Sequence, residues 1–298
     1  MLVRAVFLLL TSTLSFGCAA MKSMPEAIVA TMAGAPEVFR RNQILDAVSG
    51  KAVSFSEFMD HVASFDVIFV GERHDSIEHH LIQVQILQAL LARTRLSAIG
   101  MEFFQQDQQE LLDRYTLEGL TEDEFLEKVD WKRTWGYPYH YYRPLLLAAK
   151  QKAIPVLALN APRELVRKVA RQGLASLDEG QRALIPREID LGNEAHRTYV
   201  RHAYEGHDHW DLKSFEFFYE AQCVWDETMA DNIAAFMRER DRKVIVFAGN
   251  GHLAWKFGVP DRTQRRVAVS LVTIMPYPLR ETVNLERGMA DYIWLTGP

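Results

Sequence analysis

The chain has 298 residues, 48% of them hydrophobic, and a formal net charge of −5 from 34 Lys and Arg against 39 Asp and Glu. That length and apolar content are ample for one sizeable core or two small ones. The acidic balance, with basic residues scattered except for a short run at Arg238 to Lys243, excludes a general nucleic-acid surface.

The first 17 residues read as a targeting segment. "MLVRAVFLLLTSTLSFGC" carries one arginine, an apolar stretch too short to span a bilayer comfortably, and small residues before Cys18. Leu14 to Cys18 resembles a bacterial lipobox in a permissive form, with its leucine one place early. The expectation is therefore acylation of Cys18 after cleavage, against the plainer alternative of a secretory signal with an incidental cysteine. Ala19, where aspartate would retain a bacterial lipoprotein at the inner membrane, favours the outer membrane. Cys223 is the only other cysteine, so the mature chain has no internal disulfide to form, and its helical surroundings predict a small buried hydrophobe. Residues 18–40 lack periodicity and are expected to be a tether. Residues 41–298 are expected to form one α/β domain, since no Pro/Gly/Ser linker divides them.

Ser54 followed by Glu57 marks a helix start. Strands are predicted at "DVIFV" (66–70), "SAIGMEF" (97–103), "IPVLALN" (154–160), "KVIVFAGN" (243–250) and "RVAVSLVT" (266–273). An amphipathic pattern follows the first, with Ile77, Leu81, Val84, Leu87 and Leu91 on one stripe. The longest helical pattern runs from about Asp211 to Asp241, with Phe215, Phe218, Trp225, Met229, Ile233 and Phe236 on its apolar side. Continuous apolar strands alternating with helices predict a mostly parallel sheet covered by helices on both faces. The long connections 104–153 and 161–242 are expected to add a helical cap.

Ligands of such sheets bind beyond the carboxyl ends of the strands. The first strand runs into Gly71, Glu72, Arg73 and His74, and the second ends at Glu102. The third ends at Asn160, with Arg163 close behind, and the fourth at Asn250, Gly251 and His252. Taken singly, such residues commonly cap helices or satisfy loop backbone. As a converging set they point to a site. His74, Glu102 and His252 suit a divalent metal and its activated water, and without metal a histidine beside a glutamate, among His74, His252, Glu72 and Glu102, makes a general acid–base pair. Arg163 suits a carboxylate, including a haem propionate.

"WKRTWGYPYHYYRP" (131–144) concentrates aromatics. Its density suits a flat apolar ligand, and tyrosinate or histidine can ligate haem iron, although a loop packed on the core by its aromatics would look the same. His196, His202, His207 and His209 form a looser cluster more typical of surface histidines. Gln222 and Asp226, four apart beside the long helix's apolar stripe, are expected to enter the site behind its first residues or to be partly solvated.

Several long segments, in order, carry a family resemblance: "GERHDSIEHH", "GMEFFQQDQQELLDRY", the aromatic stretch ending "YRPLL", "IPVLALNAPRELV", "QCVWDETMADNI" and "AGNGHLAWKFGVP". Over about 65–262 the chain resembles the ChaN-like haem-binding lipoproteins of bacterial iron uptake. Their wider superfamily includes Tiki/TraB-type and erythromycin-esterase-like proteins. The resemblance implies an α/β fold, haem iron held by tyrosine, and two subunits paired over the haem. The ligand would be Tyr137, Tyr139, Tyr141 or Tyr142, with Trp131 and Trp135 as walls and Arg143 favouring the ionised phenol. In Tiki-type members the two Gly-x-x-His motifs, here Gly71–His74 and Gly249–His252, serve metal-dependent hydrolysis. The alternative to a haem carrier is thus a hydrolase acting through a metal or through His74, Glu72, Glu102 and His252.

Overall fold

Six strands paired in parallel, extended at one edge by two antiparallel pairings, make the central sheet of the computed structural model, which describes residues 28–206, 214–239 and 241–298. The strands in chain order are β1 (Ala30–Met32), β2 (Ile44–Asp46), β3 (Lys51–Val53), β4 (Val67–Glu72), β5 (Ala98–Gln105), β6 (Val156–Asn160), β7 (Val244–Gly249), β8 (Leu271–Pro278), β9 (Val283–Leu285) and β10 (Tyr292–Thr296). The large sheet has the order β3-β2-β10-β8-β4-β7-β5-β6, and β1 pairs with β9 in a small parallel ribbon.

The four predicted strands of the central sheet are at their expected places, and the physical reason is visible in β4 and β7. Both are buried along their whole length, so they need apolar residues on both faces. Ile68 and Val70 point to one side, where the helices Ile77–Arg93 and Tyr139–Lys152 supply Ile86, Leu90 and Leu145. Val67 and Phe69 point to the other, where the long helix Phe215–Met237 supplies Met229 and Ile233. The helix start at Ser54 is a complete capping box with Glu57.

Three expectations are corrected. The last predicted strand starts five residues late, because Val267 caps the helix Val259–Arg266 and the ladder begins only at Leu271. Asp66 fixes that starting point by accepting the Ser270 N–H at 2.8 Å. The stretch expected to be a tether enters the fold before residue 40: Ala30 and Phe39 are fully buried, and Ala30–Met32 pairs in register with Val283–Leu285. The stripe on the helix Ile77–Arg93 is rotated at its N-terminal end. Ile77 and Leu81 are exposed (58% and 63%), whereas His79, His80 and Gln83 are buried. Cys18 and the targeting segment lie outside the described residues, as do His207 and His209. Among the described residues no helix is long and apolar enough to cross a membrane.

Candidate functional site

The two Gly-x-x-His motifs emerge side by side because β4 and β7 are neighbours. Glu72 stands opposite Gly249 in the ladder, and β5 flanks β7 on its other side. Three carboxyl ends therefore deliver Glu72 and His74, Glu102, and His252 to one spot. The close approach requires glycine at 249. A β-carbon there would lie 2.9 Å from His74 Cε1, so any side chain would displace the imidazole.

Two histidine–carboxylate systems meet around Gly249. In the first, His74 Nδ1 is 2.7 Å from Glu72 Oε1. Glu72 is almost fully buried and also accepts hydrogen bonds from the Tyr142 hydroxyl (3.0 Å) and Gln83 Nε2 (2.8 Å), while His80 Nδ1 lies 3.3 Å from its second oxygen. Burial opposes charging His74. The hydrogen bond to Glu72 and the charges of Glu102 and Glu72 outweigh it, so the imidazole holds its proton above the ordinary histidine range.

In the second, His252 Nδ1 is 2.6 Å from Asp226 Oδ1, and its Nε2 is 3.3 Å from Glu102 Oε1. Glu102 also accepts the Gly249 N–H at 2.6 Å. Burial again disfavours the imidazolium, but Glu102 and Asp226 on either side raise the His252 pKa. The same attraction, with the Gly249 N–H, overcomes burial and lowers that of Glu102. Behind Asp226 stands His196, fully buried, with Nε2 3.4 Å from Asp226 Oδ2.

This arrangement does not support the expected divalent metal at His74, Glu102 and His252. Both nitrogens of His252 face carboxylate oxygens, so its protonated ring offers no lone pair, and His74 Nδ1 is turned to Glu72. Among the described residues no group of three or more His, Cys, Asp or Glu has a metal-binding arrangement.

The aromatic segment divides. Tyr142 is fully buried and donates to Glu72. Tyr139 donates to Glu122 at 3.0 Å. Burial raises both phenols far above the ordinary tyrosine pKa, and the accepting carboxylates reinforce the rise. Tyr137 is exposed, its ring 5.0 Å from that of His74, and Tyr141 stacks on His80 at 4.8 Å. Neither of these hydroxyls hydrogen-bonds to another described residue. Trp135 packs edge-on against His74. Trp131 is not a wall of an open pocket: it is buried against Phe104 and Tyr142, and its indole N–H donates to the Tyr137 carbonyl. Arg143 is not beside a free phenol either, since it grips Glu122 through Nε and Nη2 at 2.7 and 2.8 Å. Arg163 stands apart from these tyrosines, on a cavity of about 390 Å³ that Glu102 and Trp135 also line.

His80 and Gln83 were hidden from sequence reasoning, and His196, expected among surface histidines, is instead fully buried against Asp226. The one signal for the first two was a polar pair occupying the inward positions of an otherwise apolar helix. Asp226 proves fully buried rather than partly solvated, and Gln222 Nε2 lies 3.0 Å from His252 Nδ1.

No curated protein matches the chain by sequence. A solved structure of cofacial heme binding to ChaN of Campylobacter jejuni superposes with a TM-score of 0.67 at 20% identity, covering 84% of this chain and 95% of that one. The erythromycin esterase EreC, as a histidine-to-asparagine mutant in its open conformation, gives 0.47 at 16% identity over 79% of this chain and 76% of that one. The family model described as haem-binding uptake, Tiki superfamily, ChaN, matches residues 58–263. The chain belongs to that haem-binding uptake family of the Tiki superfamily.

Proposed function

We propose that the protein binds haem through Tyr137, as an acylated lipoprotein of the bacterial outer membrane acting in haem and iron uptake. The observation that carries the haem reading is an exposed phenol without a protein hydrogen-bond partner at the edge of an outward-facing apolar surface. Tyr137 is 38% exposed, and Ile77 and Leu81 face outward on the adjoining helix. The ring contacts His74–Tyr137 and His80–Tyr141 tie that helix N-terminus to the aromatic segment, making one surface.

The residues fit the group. Burial, with Asp75, Glu102 and Glu72, raises the Tyr137 pKa, so the phenol is protonated on its own. A ferric centre would supply the positive charge that favours phenolate, a hard anionic ligand. Ile77 and Leu81 would cover one apolar haem face. The other would stay in water unless a second subunit covers it, which supports pairing of two chains over the haem. The test is a visible-absorption titration with haemin of wild-type protein and the Tyr137→Phe variant.

A second reading has its own observation. His74 bonded to Glu72 leaves Nε2 beside Gly249 and Glu102, the arrangement of a general acid–base pair in a non-metal hydrolase. Release of 4-nitrophenol from short-chain esters, lost in His74→Gln and unaffected by chelators, would support it.

A further inference from the structure

The cavity beside Glu102 adjoins the Tyr137 surface through Trp135, which lines it and whose ring lies 5.7 Å from that of Tyr137. It opens between the carboxyl ends of β5 and β6 and the helix Arg163–Gln172. Its size suits a small organic ligand. Phe103, Trp135 and Trp225 give it aromatic walls.

Its polar groups are unevenly placed. Glu102 contributes a negative charge that is already balanced by His252 and the Gly249 N–H. On the opposite side, Arg163, Arg167 and Arg171 recur every four residues along one face of the helix and all line the cavity. Arg163 uses Nη1 on the Arg133 and Thr134 carbonyls, which holds the guanidinium in place with Nε and Nη2 still available. Asn160, at the end of β6, is buried, with 8% of its surface exposed. Its Oδ1 accepts the Ala161 N–H at 2.9 Å, which fixes the amide orientation and leaves Nδ2 as a donor with no partner among the described residues. A ligand oxygen in the cavity would be an acceptor for that donor.

From these observations we infer that the cavity binds an amphipathic organic carboxylate. An aromatic body sits between Trp135, Phe103 and Trp225, and its carboxylate is held by Asn160 Nδ2 and the Arg163 fork. The planar guanidinium matches a carboxylate in two-point contact. The inference goes beyond haem coordination at Tyr137 and does not depend on it.

The probe is 1-naphthoate, with neutral 1-naphthylmethanol as its uncharged counterpart, titrated calorimetrically into the purified protein. The naphthoate is expected to bind in one-to-one ratio and the alcohol at least about tenfold more weakly. Arg163→Gln, on a half-exposed helix position, and Asn160→Asp, which keeps the Ala161 contact, should each weaken naphthoate about tenfold or more. Ala170→Trp, which fills the cavity from the helix, should abolish binding. Tyr137→Phe should leave it unchanged whether or not that variant binds haemin. Equal affinity for acid and alcohol, no binding at millimolar concentration, or unaltered binding in Arg163→Gln would overturn the inference. So would competition by one equivalent of haemin that Arg163→Gln relieves, because the cavity would then be part of the haem surface.

Discussion

The Tyr142 hydroxyl donates a 3.0 Å hydrogen bond to Glu72, joining the aromatic segment to the first Gly-x-x-His motif inside the fold. The tyrosine nearest the histidine–carboxylate pair is thereby a buried donor that helps orient Glu72. This bond and the one from Tyr139 to Glu122 separate structural phenols from accessible ones, a distinction that four tyrosines within six residues do not reveal in sequence.

Asp226 should prove essential to the second histidine. It accepts from His252 at 2.6 Å, and Asp226→Asn removes the charge that, after Glu102, raises the His252 pKa. Breaking a buried pair in this way should cost about 3 kcal/mol in urea unfolding. The His252 imidazole should also titrate at lower pH by NMR. Unchanged stability and titration would show that Asp226 plays no such part.

Much of the fold was legible because the central strands are buried on both faces and therefore read as unbroken apolar runs. The short edge strands Ile44–Asp46 and Lys51–Val53 and the β1–β9 ribbon carry no such run and were missed, and β10 was missed although Tyr292 to Leu295 is one. Convergence of His74, Glu102 and His252 followed from strand ends alone. The partners of those residues did not, since Gln83, His80 and His196 arrive from helices whose rotation only packing determines. On the helix Ile77–Arg93 the apolar periodicity pointed to the wrong face at its start, where His79, His80 and Gln83 occupy the inside.

Acid should weaken the fold through His79. Burial, then the charges of Arg73 and His80, lowers its pKa from 6.5 to about 4. The neutral ring accepts the Arg73 N–H through Nδ1 and faces the Thr296 hydroxyl with Nε2. Between those two pH values the unfolded chain takes up a proton that the native chain refuses, so stability falls as pH drops below 6.5 and levels off near 4. The loss between pH 7 and 5 should be about 2 kcal/mol, and His79→Gln should remove that part of the slope. Urea midpoints of both proteins at the two pH values decide it; identical slopes would contradict the assignment.

Haem should drive pairing through the exposed apolar surface. Leu81 is 63% exposed, and Leu81→Glu should keep the haemin spectrum while eluting as a monomer where haem-loaded wild type elutes as a dimer. A dimer of the variant, or a wild type whose elution does not respond to haemin, would rule out pairing over this face.

Anchoring should depend on Cys18. Radiolabelled palmitate is expected on the wild-type protein in outer-membrane fractions, and Cys18→Ala should be unlabelled and soluble in the periplasm. Wild-type protein that never takes up label would exclude the lipoprotein proposal.

The most direct test of haem binding at Tyr137 is a haemin titration of the four single Tyr→Phe variants, followed by visible absorption. The expected result is a five-coordinate tyrosinate spectrum for wild type, Tyr139→Phe, Tyr141→Phe and Tyr142→Phe, and its loss in Tyr137→Phe alone. A wild-type spectrum in Tyr137→Phe would contradict coordination by that residue.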